Sequence, residues 1–179
     1  MKQIKQIIRE IIPVIIGILV ALVINNWNED RKDQKYLDKI FSSIEKELEE
    51  SGADIERVIP KQLAMLDTID TYLNDETVSL AKIVWSANGI QEPEIKINAW
   101  NAIANSKLEL IEYEKISALS DIAGGKENLR LRTEKMLDFL LPNIQETDRG
   151  KKTLLRMMVV DVVNAEKRLQ ANIEEFIEE

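Results

Sequence analysis

Hydrophobic and polar positions along the chain fall into two regimes. From Ile11 to Ile24 the run IIPVIIGILVALVI carries no charge and is apolar on every face, and Asn25-Asn26-Trp27-Asn28 closes it. Beyond Glu29, apolar residues recur every three or four positions among charges, the period of an amphipathic helix, and no segment shows convincing two-residue alternation. The uncharged run alone rises about 21 Å, short of the roughly 30 Å of bilayer hydrocarbon. Extended upstream through Ile4, Ile7 and Ile8, with Lys5 and Arg9 reaching back toward the headgroups, and downstream to Trp27, it becomes a span of about 20 residues. Arg9 and Glu10 on one side, and Asn25, Trp27 and Asn28 on the other, are then the expected membrane-interface residues. A core helix of a soluble protein would keep a polar face. A cleaved secretory signal would end in small residues at both positions before the cut, and Val20-Ala21-Leu22 lacks them. The expectation is an uncleaved anchor over residues 1–28 and a soluble domain over 29–179.

The soluble part reads as helix after helix. Glu29 to Glu50 contains no Gly or Pro and carries the stripe Leu37, Ile40, Ile44, Leu48, so the anchor helix is expected to continue as a stalk. Ser51-Gly52 predicts a stop. A second helix follows with Ile55, Ile59, Leu63, Leu66, Ile69 and Leu73, kinked or restarted at Pro60. Thr77–Trp85 predicts a short helix burying Val78, Leu80, Ala81, Val84 and Trp85. Ser86–Glu94, with Asn88-Gly89 and Pro93, reads as a loop and an exposed contact surface. Ile95–Asn105 returns to helix with Trp100 in the core, and Leu108–Ile111 reads as a helical connection. Glu112–Leu141 is the longest soluble helix, with Ile116, Leu119, Ala123, Leu129, Met136, Leu137 and Leu140 inward. Gly124-Gly125 weakens its middle by about 1 kcal/mol per glycine. From Lys151 onward Leu155, Met158, Val162, Ala165, Leu169, Asn172 and Phe176 form a heptad seam, fit for an intramolecular bundle or for self-association. The fold class is all-α: one N-terminal transmembrane helix continuing into a stalk and a soluble bundle of about five helices.

The residues of the span carry a resemblance. Glu10, Gly17, Ile18, Ala21, Leu22, Ile24, Asn25, Trp27, Asn28 and Glu29, a GIxxALxINxWNE-type run, resemble the N-terminal signature of a family of small single-span bacterial membrane proteins, mainly from Bacteroidota, recorded as a domain of unknown function. A looser similarity lies at Ala99–Ile111, while Pro13 and the Gly124-Gly125 pair depart from the pattern. The resemblance implies a membrane-anchored helical protein and supplies no activity, substrate or catalytic residue.

Composition narrows the chemistry. The chain has 179 residues, 32 acids against 24 bases and a formal net charge of -8, which argues against a nucleic-acid groove built from clustered cations. It contains no Cys and no His, so thiolate nucleophiles, zinc centres and Ser-His-Asp triads have no residues to form them. Asp67 and Asp70 sit on neighbouring helix faces as surface acids rather than a catalytic pair. Gly124-Gly125-Lys126 and Arg149–Thr153 suggest phosphate loops, yet the second has Gln145 where the leading Gly belongs and no strand before it. A helix break and a helix start explain the two. No catalytic residue, cofactor or metal ligand is expected, and the chain reads as a non-enzyme.

Gly17 and Ala21 stand four apart on one face, a spacing that lets two membrane helices approach closely, though a membrane helix also tolerates such residues without a partner. The tail before Glu10 is basic, with Lys2, Lys5 and Arg9, which favours a cytoplasmic N-terminus and a periplasmic domain of a single-pass inner-membrane protein. The expected partners are the lipid bilayer and a protein, either another chain or a second copy. Two functions follow: an interaction or assembly protein, or a tethered sensor that binds a small ligand between helices.

Overall fold

The computed structural model describes residues 2–178, with side chains from residue 12 onward. The chain is all-α as expected, with no strand among the described residues. Five α-helices follow one another: α1 (Lys2–Thr71), α2 (Leu80–Ser86), α3 (Asn98–Ala104), α4 (Tyr113–Leu140) and α5 (Arg149–Glu178). Short 3₁₀ turns at Leu108–Leu110 and Leu141–Asn143 flank α4. Packing divides the chain into two units, Met1–Ser42 and Ser43–Glu179.

The first unit is the N-terminal part of α1. From Ile12 this helix is long and apolar enough to cross a membrane, and none of its most apolar window is covered by protein. Its large side chains, from Ile12 through Ile24, stand open on all sides.

The second unit is built on three long helices. Along α1 the buried positions are Ile44, Leu48, Ser51, Ile55, Val58, Gln62, Met65 and Ile69, stepping alternately by four and three. On α5 they include Lys152, Leu155, Val159, Val162, Glu166, Leu169 and Ile173, stepping the same way. Both are heptad seams, and they face each other antiparallel. Ile173 lies 3.8 Å from where a Cβ on Gly52 would stand, Gln62 meets Glu166, and Arg156 pairs with Asp70 at 2.6 Å. α4 runs antiparallel to α5, with Gly125 against Leu169 and Arg132 paired with Asp161. Where α1 ends, Leu80 and Ile83 of α2 close the core against Met65, Ile69, Met136, Leu140, Leu155, Val159 and Val163.

Several expectations are corrected, each for a physical reason. Ser51-Gly52 is no stop. The Ser51 hydroxyl donates to the Glu47 carbonyl at 2.7 Å inside the helix, and Gly52 lies within the same helix, 3.8 Å separating the place of a Cβ from Ile173 of α5. α1 also runs through Pro60, so one helical phase holds across the segment. The inward residues are therefore Val58 and Met65, with Ile59 and Leu66 only part-buried and Leu63 exposed. On α5, Leu155, Val162, Ala165 and Leu169 are buried as expected, but Val159 and Ile173 take the places given to Met158 and Asn172. On α4, Ile122 and Thr133 are buried, Leu137 is exposed, and the helix does not break at Gly124-Gly125. Trp100 is in the core as expected, whereas Trp85 is 82% exposed.

α2 ends in a Schellman motif. The Gly89 amide donates to the Val84 carbonyl at 2.8 Å and the Asn88 amide to Trp85 at 3.0 Å. The turn needs a left-handed residue after the helix, and Asn88 supplies it at φ 60°.

The two glycines of α4 should respond oppositely to substitution. A Cβ on Gly124 meets nothing within 4 Å, so Gly124→Ala should stabilise by about 0.5–1 kcal/mol through helix propensity. A Cβ on Gly125 would stand 2.9 Å from Leu169 Cδ1, so Gly125→Val should destabilise by about 1–3 kcal/mol. Chemical denaturation of the two variants measures both.

Candidate functional site

The segment Ile90–Ile97 joins α2 to α3 without helix or strand. Laid against protein, its amides and carbonyls need partners. α1 supplies them from side chains. Gln62 Nε2 donates to the Gln91 carbonyl at 2.9 Å, and Asp54 Oδ2 accepts from the Glu94 amide at 2.8 Å. Ser51 Oγ accepts from the Lys96 amide at 2.9 Å, and Glu47 Oε2 from the Ala99 amide at 3.0 Å. The helix positions descend as the segment positions ascend, so the segment is a strap running antiparallel to α1. From Gln62 to Glu47 the helix covers about 22 Å, a distance that the strap from Gln91 to Ala99 matches only when extended.

The strap alternates like a strand. Pro93, Ile95 and Ile97 are buried, while Glu92 and Glu94 are exposed. The expected exposed loop is thus half right: Ser86, Asn88, Glu92 and Glu94 face solvent, while Ala87, Gly89, Ile90 and Gln91 are part-buried and Pro93 is buried. Glu47 also caps α3, whose own N-cap residue Ile97 offers no side-chain acceptor. The Glu94 amide, and then Arg57, hold the Asp54 carboxyl below the ordinary carboxylate range. Its contribution is present above the unfolded pKa and is lost as pH falls through the folded one.

Two charged residues occupy the α5 seam. Lys152 is fully buried and donates from Nζ to the Tyr72 carbonyl at 3.0 Å and the Asp75 carbonyl at 2.5 Å. It thus satisfies carbonyls at the end of α1, where a cation also suits the helix dipole. The stretch around it is a helix start, with Asp148 Oδ1 accepting from the Lys151 amide at 2.9 Å, as the sequence suggested.

Glu166 is fully buried, and its Oε1 accepts from Gln62 Nε2 at 2.7 Å. Gln62 Nε2 thereby donates both to the strap and to α5. Two buried oxygens in the pair have no partner, Gln62 Oε1 and Glu166 Oε2. Burial pushes the Glu166 carboxyl up to about 7, against the Gln62 hydrogen bond and with a further push from Glu92.

The residues singled out in the span lie apart from this cluster along the chain. A Cβ on Gly17 would meet nothing within 4 Å, and Ala21, one helical turn on, is exposed. Asn25 and Asn28 are exposed, and Trp27 is 63% exposed with the Arg31 guanidinium 5.9 Å from its ring centroid. Arg9 and Glu10 lie outside the described side chains. Among the described residues no group of three or more His, Cys, Asp or Glu could hold a metal ion. Asp70 is taken up by the Arg156 guanidinium.

The concavities are open grooves. One, about 500 Å³, lies between α4 and α5 beside Gly124, Leu131 and Met158. Another, about 290 Å³, lies beside the strap between Lys61 and Thr68 of α1 and Ser86, Asn88 and Gln91.

The architecture is that of an all-α chain carrying one helix long and apolar enough to cross a membrane. Residues 10–98 match the model of a family of unknown function (DUF6090). The match takes in α1 from Glu10, α2 and the strap, and stops at the first residue of α3, before the looser similarity at Ala99–Ile111. No curated protein and no solved structure matches the chain.

If α1 side chains hold the strap, the double variant Glu47→Ala/Ser51→Ala should destabilise the second unit by about 1–3 kcal/mol, the cost of leaving buried amides unpaired. Hydrogen exchange at the Lys96 and Ala99 amides should accelerate ahead of the α4 and α5 amides.

Proposed function

We propose that the protein is a membrane-anchored, non-enzymatic interaction or assembly protein. The observation that carries this reading is the helix from Ile12, apolar all round and left bare by the rest of the chain. Such a surface is costly in water and favourable in lipid, where the helix satisfies its own backbone. Trp27 with Arg31 over its ring suits the water–lipid boundary. The short, purely basic tail with Lys2, Lys5 and Arg9 favours a cytoplasmic N-terminus and a periplasmic helical domain at a bacterial inner membrane, against the basic residues Arg31, Lys32, Lys35 and Lys39 that follow the span.

The partner is a protein, either another chain or a second copy. Gly17 and Ala21 provide a side of the span where a second helix can approach closely. On the helical domain Trp85 offers a large exposed aromatic of the kind that anchors protein interfaces. The absence of His and Cys from the chain supports a role without catalysis. A second reading, a tethered sensor for a small ligand, draws on the recess closed on one side by the strap.

Fractionation and crosslinking test the main reading. The full chain should sediment with membranes, resist alkaline carbonate and yield to detergent, and deletion of residues 1–28 should release it. Recovery of the intact chain in the soluble fraction would sink the proposal. In native membranes, crosslinked species should weaken in Gly17→Ile if the span makes the contact, or in Trp85→Ala if the domain does. A chain that crosslinks to nothing but is thermally stabilised by a small molecule would favour the sensor.

A further inference from the structure

Gln62 and Glu166 occupy facing seam positions of α1 and α5, where apolar residues would ordinarily pack. The carboxamide Nε2 has two protons, and both are used, one on the Gln91 carbonyl at 2.9 Å and one on Glu166 Oε1 at 2.7 Å. What remains is a matched pair of orphans, Gln62 Oε1 and Glu166 Oε2. With Glu166 ionised both are acceptors, and each bears the cost of burial without a hydrogen bond. One proton removes both defects, because a carboxylic acid beside a carboxamide closes a two-bond ring: N–H to carboxyl oxygen, and O–H to amide oxygen.

We propose that Glu166 is held as a neutral acid that donates from Oε2 to Gln62 Oε1, and that loss of this proton frees the strap at Gln91. The charges around the pair agree. Glu92 of the strap is the charged group whose field reaches the carboxyl, and it opposes ionisation. α1 presents the neutral Gln62, whose hydrogen bond favours the ionised form but is outweighed by burial. Deprotonation leaves Glu166 facing Glu92 with the ring open, and Gln62 is drawn from the Gln91 carbonyl toward the new anion. The recess beside Gln91 is bounded by the same strap, so its shape follows the proton.

The sign is set by linkage. The folded carboxyl binds its proton more tightly than the unfolded one, so the stabilisation is full below the ordinary carboxylate pKa and fades as pH rises to about 7. This is opposite in sense to Asp54 at the other end of the strap, whose contribution fades only in acid.

Infrared spectroscopy of the full chain in detergent tests the proton directly. Wild type minus Glu166→Gln should show a protonated-carboxyl carbonyl band at pH 6 that is gone by pH 8. Hydrogen exchange, corrected for intrinsic rate, should show the amides of Glu94 and Lys96 losing protection over the same interval. The wild-type folding constant should fall by roughly 50-fold between pH 5 and 8, while Glu166→Gln, whose amide keeps a donor for Gln62 Oε1, should lack that component. Should Glu166→Gln not fold, titration of the wild-type band with ¹³C-labelled glutamate and the strap exchange still decide. Absence of the band at pH 6 would overturn the neutral pair. A band that titrates with no change in strap protection would overturn the release.

Discussion

The second unit depends on the antiparallel fit of two heptad seams, one on α1 and one on α5. Each is mostly aliphatic and each is interrupted by polar residues, Ser51 and Gln62 on α1, Lys152 and Glu166 on α5. Aliphatic side chains alone would tolerate a slip of one heptad. The polar ones restrict it, because a buried donor or acceptor displaced from its partner loses a hydrogen bond and cannot recover one from water. Lys152 reaches the end of α1 in one register, and Gln62 meets Glu166 in that same register.

The strap shows how an all-α chain satisfies an extended segment without a sheet. Four α1 side chains take the place of a neighbouring strand, and Pro93 sits where no amide is needed. The exposed ion pair between Lys96 and Glu50, 2.8 Å, adds little beside these contacts. α1 thus serves two clients at once, presenting its aliphatic seam to α5 and a polar edge to the strap. The family match runs from Glu10 through the rest of α1, α2 and the strap and stops at the first residue of α3. The matched part is the helix together with the segment it binds.

How much could be read beforehand depended on how each residue signalled. The fold class and the apolar span were legible because both rest on periodicity and composition, which act locally. Trp100 was legible as core because it stands in phase with Ile97 and Ile103. The strap carries a signal of its own in the sequence: Glu92 to Ile97 alternates in the manner of a strand, with Pro93, Ile95 and Ile97 inward. The site pair gave none, since a lone Gln and a lone Glu in charged helices look like solvated faces.

From the sequence alone came the helices, the bare apolar run and the exclusion of chemistry that needs His or Cys, since all three follow from residue types and their spacing. The tertiary structure alone decided the phase of α1 and α5. Ser51, Gln62, Lys152 and Glu166 sit at inward positions, and a polar residue on a seam looks like the edge of a stripe until its partner is seen. The same holds for Gly52 and Gly125, which read as breaks by propensity and instead lie inside unbroken helices against α5, Gly125 so tightly that a Cβ would stand 2.9 Å from Leu169 Cδ1. Helix propensity is a matter of the local chain, and it was overruled wherever packing against a distant helix contributed more.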